Sequence, residues 1–155
     1  MKKILLVFAT VLLSAAVFAQ TPDFSGSWSL NTSKSALGAE FSLAPRNVII
    51  VQNGNDLSVE KHSEFQGQEF VMTDKLTLDG KECTNTVFQD MQKKSTCTWS
   101  EDKASLKVVS KMSMGDGSDI TINEVYKLDG VTLVIESTAS SSYGDMNEKM
   151  VFDKK

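Results

Sequence analysis

Ile120-Thr121-Ile122-Asn123-Glu124-Val125-Tyr126-Lys127-Leu128-Asp129-Gly130-Val131-Thr132-Leu133-Val134-Ile135 alternates with a period of two on both sides of one turn signal. Ile120, Ile122, Glu124, Tyr126 and Leu128 share one face of a strand, and Thr121, Asn123, Val125 and Lys127 share the other. Asp129-Gly130 interrupts the pattern, and Val131-Leu133-Ile135 resumes it, as in a β-hairpin. Working outward, the same period appears in Phe70-Met72-Asp74-Leu76-Leu78 and in Leu106-Val108-Ser110-Met112. Turn signals at Asn53-Gly54, Gln66-Gly67, Asp79-Gly80 and Met114 to Gly117 separate the runs. The pattern predicts ten strands, near 26–31, 46–52, 56–63, 68–78, 81–88, 93–99, 104–113, 119–128, 131–139 and 146–153. Only the Ser/Ala-rich connection 32–45 has room for a short helix.

Turn positions predict register. Asp79-Gly80 as a two-residue turn pairs Leu76 with Cys83 and Met72 with Val87, and a turn centred on Asp90 pairs Cys83 with Cys97. Asn53-Gly54 pairs Ile50 with Leu57, Gln66-Gly67 pairs Val59 with Asp74, and Asp129-Gly130 pairs Tyr126 with Leu133. A loop from Ser140 to Asp145 pairs Ile135 with Met150 and Leu133 with Phe152. Apolar faces meet in each hairpin, as burial of one sheet face requires. The expected fold is all-β, an antiparallel up-and-down meander closed into a barrel of about ten strands, because closure removes exposed edges. A two-sheet sandwich is the alternative, although its crossovers need longer connections.

Composition narrows the function. The chain has 155 residues, 16 basic against 20 acidic, net charge -4 and 41% apolar residues. Nothing in this balance builds a basic face for nucleic acid. Residues 1–19 read as a cleavable signal peptide: Lys2 and Lys3, the apolar run from Ile4 to Leu13, and small residues with Val17 and Ala19 before Gln20. The apolar run is too short to span a membrane, so no membrane insertion is expected. Its removal leaves 14 basic residues against 20 acidic ones, a net -6, in a single domain over 20–155. The predicted location is periplasmic or secreted. Cys83 opposite Cys97, in an oxidising compartment, predicts a structural disulfide. Two free buried thiols are the alternative.

Asp23-Phe24-Ser25-Gly26-Ser27-Trp28 resembles the Gly-x-Trp opening strand of lipocalins and fatty-acid-binding proteins. The run from Lys75-Leu76-Thr77-Leu78-Asp79-Gly80 to the closing Met150-Val151-Phe152-Asp153 is similar to the hairpins of the fatty-acid-binding barrel. The resemblance covers nearly all of the mature chain and implies a cavity-bearing calycin barrel that carries a small apolar molecule. Two features depart from the family. The helical lid has no counterpart beyond 32–45, and the carboxylate-anchoring Arg-x-Tyr reads Met150-Val151-Phe152. The one arginine, Arg46, also leaves the lipocalin arginine over the first-strand tryptophan without an equivalent near the C-terminus.

Strand parity supplies the candidate ligand-binding residues. Met72, Met112, Ile122, Ile135, Met150 and Phe152 form an adaptable apolar wall, since methionine fills irregular space. Asp74, Asn85, Ser95, Ser110, Ser137 and Glu148 are inward polar groups, the first three a cross-strand row, with Glu124 and Lys61 nearby; Asp74, Asn85, Ser110, Glu124 and Tyr126 join the ligand-binding candidates. Buried carboxylates are costly unless paired or hydrated, so this row implies a wet cavity. A solid core with the polar residues twisted to the rim is the competing reading. The interior acids predict that neutral or cationic apolar ligands outcompete fatty acids. His62 falls on the outward face beside Glu60, and no nucleophile elbow, phosphate loop or metalloprotease motif occurs, so no enzyme, cofactor or metal is expected. The function implied is carriage of a small apolar ligand. The alternative is a protein-binding module with a solid barrel, its partner unidentified, and an enzyme using interior carboxylates is a distant third.

Overall fold

The computed structural model describes residues 21–38, 42, 44–87, 90–115 and 117–155. Residues 1–19, read from the sequence as a signal peptide, lie outside them. Ten strands follow in chain order: β1 (Gly26–Leu30), β2 (Asn47–Asn53), β3 (Asp56–Phe65), β4 (Gln68–Thr77), β5 (Cys83–Thr86), β6 (Gln92–Trp99), β7 (Ser105–Ser113), β8 (Asp119–Asp129), β9 (Thr132–Ser141) and β10 (Gly144–Lys154). They form one antiparallel sheet in the order β4-β3-β2-β1-β10-β9-β8-β7-β6-β5. β1 closes it by pairing with both β2 and β10, so the meander becomes a nearly closed barrel. Thr32 to Lys34 make a turn rather than a helix, and Ala36 bridges to Lys149. Among the described residues no helix is long and apolar enough to cross a membrane.

Two predicted registers hold: Val59 faces Asp74, and Ile135 faces Met150. The latter hairpin is tighter than expected, its ladder running to Ser141 and Gly144. Two others shift by two residues. Ile50 faces Val59 instead of Leu57, and Tyr126 faces Ile135 instead of Leu133. In both, the glycine takes the first central position of the turn, at φ 57° for Gly54 and 58° for Gly130. Gly54-Asn55 and Gly130-Val131 therefore form the turns, as in type II′ hairpins, where glycine leads.

The β4–β5 hairpin is the larger correction. Leu76 does not face Cys83, nor Met72 Val87, because β4 and β5 are the two ends of the sheet and share no ladder. The connection crosses to β6 instead, where Asp79 bridges Thr98 and Gly80 N–H donates to the Cys97 carbonyl at 3.0 Å. Asn85 spans the seam. Its Oδ1 accepts from Lys75 N–H at 2.9 Å and its Nδ2 donates to the Lys75 carbonyl at 3.1 Å, imitating a ladder pair. Cys83 faces Ser95 rather than Cys97, and both thiols are free. Diagonal partners in an antiparallel pair stand beyond the usual Cα span of a disulfide, so the predicted bridge does not follow from this register.

One end of the barrel is packed with apolar side chains: Phe24, Trp28, Leu57, Leu76, Leu106, Leu133 and Phe152 among them. Trp28 Nε1–H donates to the Phe24 carbonyl at 3.0 Å, and Phe24 lies against Trp99 with ring centroids 6.1 Å apart. Lys154 Nζ sits 5.3 Å over the Trp28 ring. A lysine thus supplies the cation whose arginine version the sequence lacks near its C-terminus.

Candidate functional site

The inward face changes character along its length. On β8, Tyr126 is 2% exposed and Glu124 7%, whereas Ile122 and Ile120 are only half-buried. On β10, Phe152 and Met150 are buried, and Glu148 and Met146 are half-buried. β4 repeats the gradient from Leu76 and Asp74 to Met72 and Phe70, and β7 from Val108 and Ser110 to Met112. One half of the lumen is filled by buried apolar side chains, most inward residues of the other half are only half-buried, and a charged layer separates them.

Four ionic side chains build that layer. Lys61 Nζ on β3 lies 2.6 Å from Glu124 Oε1 on β8. Those strands stand five places apart in the sheet order, so the pair crosses the lumen. Lys93 Nζ on β6 lies 2.5 Å from Asp74 Oδ1 on β4, on either side of the seam. All four side chains are buried. Asp74 Oδ1 is held by Lys93 through this close ion pair and by no further hydrogen bond among the described residues. Tyr126 OH donates to Glu124 Oε2 at 3.3 Å, Lys61 Nζ lies 5.9 Å from the Tyr126 ring centroid, and the Ser95 and Ser110 hydroxyls meet at 2.8 Å.

Electrostatics agree with the geometry. Burial alone disfavours the Lys61 ammonium, but Glu124, Tyr126 and Asp74 outweigh it, and Lys61 titrates above the ordinary lysine range. Burial, reinforced by the Glu124 charge, raises the Tyr126 phenol well above its usual value. Burial also pushes the Cys97 thiol up to about 12, with Cys83 contributing.

The predicted site residues divide among three places. Asp74, Ser110, Glu124 and Tyr126 are buried in or beside the charged layer, while half-buried Met72, Met112 and Ile122 are the next inward residues along their strands, Met72 facing Lys61 and Met112 facing Lys93 across the ladder. Ile135, Met150 and Phe152 belong to the filled half, where close packing leaves little wall to offer. Asn85 holds the seam and does not form the expected Asp74-Asn85-Ser95 row, because β4 and β5 do not pair. Lys93 was missed. Its parity with Ser95, Cys97 and Trp99 turns it inward, although a lysine near a strand start ordinarily reads as solvated. With Lys61 and Lys93 each paired to an acid, the interior is balanced, and the expected bias against anions loses its basis. His62 stays outward, its Nε2 2.6 Å from Glu60 Oε1. Two shallow grooves of about 330 and 350 Å3 lie elsewhere: one between the β3 and β4 walls and Cys83, the other between Ala36 and the β9–β10 wall.

No family model and no curated protein matches the sequence. Solved structures match its shape. A zebrafish ileal bile acid-binding protein complexed with cholic acid is 19% identical, with 85% of this chain and 98% of that chain covered at a TM-score of 0.58. The REP1-NXSQ fatty acid transporter is 12% identical, with coverages of 84% and 95% and a TM-score of 0.56. A secretory abundant heat soluble protein from Ramazzottius varieornatus is 17% identical, with coverages of 85% and 95% and a TM-score of 0.55. The chain therefore has the antiparallel barrel fold of the calycin fatty-acid- and bile-acid-binding proteins.

Proposed function

We propose that this protein is an exported, non-enzymatic barrel that binds a small, mainly apolar ligand in the open half of its lumen. The carrying observation is the burial gradient: inward Met72, Met112 and Ile122 are left half-buried beside a buried polar layer, Met72 facing Lys61 and Met112 facing Lys93. A folded chain covers apolar surface where it can, and concave apolar walls with a few convergent polar groups are the usual form of a ligand site. The neighbours named as bile-acid-binding and fatty-acid-transporting support this reading through the shared fold, which by itself does not carry function. Export rests on Lys2, Lys3, the apolar run to Leu13 and the small residues ending at Ala19. Periplasmic or secreted material is then expected to begin at Gln20, by intact mass.

An environment-sensitive apolar dye tests the binding. It is expected to bind with defined stoichiometry, and Met112→Trp to block it at little cost in stability, because the ring occupies unfilled space. In a solid core the same change overpacks and costs about 1–3 kcal/mol, with no binding to lose. That outcome would favour the second reading, a protein-binding scaffold, which the filled half of the lumen and the outer groove beside Cys83 support.

A further inference from the structure

Resting on the reading of the open half as a ligand site, we propose that the charged layer at its floor selects amphiphiles with a zwitterionic head group. The anionic part would meet Lys61 and Lys93, and the cationic part Asp74 and Glu124.

The argument starts from balance. Two ammoniums and two carboxylates occupy one buried layer, paired across the lumen at 2.6 Å and across the seam at 2.5 Å. Met72, Met112 and Ile122 are the adjoining residues toward the open end, so an apolar tail lying on them brings its head to this layer. A carboxylate head inserted beside Lys61 competes with Glu124 for it and leaves a buried carboxylate without its partner. A quaternary ammonium head beside Glu124 strands Lys61 in the same way. A head group carrying both charges replaces each broken contact with one of the same sign. Ser95 and Ser110, 2.8 Å apart on the same wall, add hydroxyls that donate or accept.

Tail-matched probes below their micelle concentrations test this on the mature chain: a dodecyl sulfobetaine, dodecanoate, dodecyltrimethylammonium and dodecyl maltoside, read by dye displacement and native mass spectrometry. The sulfobetaine is expected to bind at least about tenfold more tightly than either singly charged probe or the neutral one. In Lys61→Met/Glu124→Leu, with folding checked by Trp28 and Trp99 fluorescence, the sulfobetaine preference should shrink, since only Lys93 and Asp74 remain to meet its head. Equal binding of the four by the unaltered protein overturns the proposal, as does a preference for dodecanoate. That ranking decides the matter even if the double variant does not fold. A sulfobetaine preference that is undiminished in a folded double variant also overturns it. Failure of every probe and of the apolar dye would instead remove the ligand-binding reading beneath it.

Discussion

At the scale of single residues, strain and burial make sharp expectations. Gly26 has φ +148°, and a Cβ there would stand 3.1 Å from Lys154 Cε, the side chain that covers Trp28. Gly26→Ala is expected to cost about 1–3 kcal/mol in urea denaturation, since a side chain rarely adopts that backbone conformation and would push the lysine off the ring. The two thiols should also separate by reactivity. Half-buried Cys83 is expected to alkylate readily in folded protein, and Cys97, buried with its pKa pushed up to about 12, only on unfolding. Differential labelling followed by digestion checks this. A Cys83–Cys97 crosslink in folded protein would mean that β5 slides by two residues against β6.

At the scale of elements, the seam is the informative place. β5 has four residues, pairs with β6 on one side, and meets β4 through the Asn85 amide. Asn85→Ala removes both bonds to Lys75 and leaves a backbone N–H and carbonyl to find water, which should cost about 1–2 kcal/mol. The expected signature is local: hydrogen exchange at the Lys75 amide accelerates, while the β8–β9 ladder keeps its protection. Equal acceleration in both places would show that the seam carries the stability of the whole barrel.

At the scale of the molecule, the charged layer ties stability to pH and to paired substitution. Lys61, Tyr126 and Cys97 all have folded pKa values raised above their ordinary ones. Each favours its protonated form in the fold. The stability they contribute is therefore fully present below the unfolded values of 9.0, 10.0 and 10.5, and is lost as pH rises beyond them. Denaturation midpoints are expected to fall from about pH 9 upward. Glu124→Leu alone strands a buried ammonium and should cost about 3–5 kcal/mol, whereas Lys61→Met/Glu124→Leu should be close to neutral. A single substitution no worse than the double would show that water already compensates Lys61.

Alternation along Ile120–Leu128 and its counterparts determined the strand count, the meander and which side chains point inward, because parity is a local property of an extended chain. Apolar matching across a hairpin detects a slip of one residue but not of two. That is why Ile50 and Tyr126 were assigned partners two positions away but on the right face. Met72, Asp74, Ser110, Met112, Ile122 and Glu124 could be named as inward for the same reason. Only the tertiary structure decided which inward residues meet. Lys61 and Glu124 stand 63 residues apart in sequence and face each other because closure sets β3 opposite β8. Asp74 finds Lys93 because the sheet ends at β4 and β5. Distances across a lumen follow from closure and strand tilt, which no periodicity along one strand encodes.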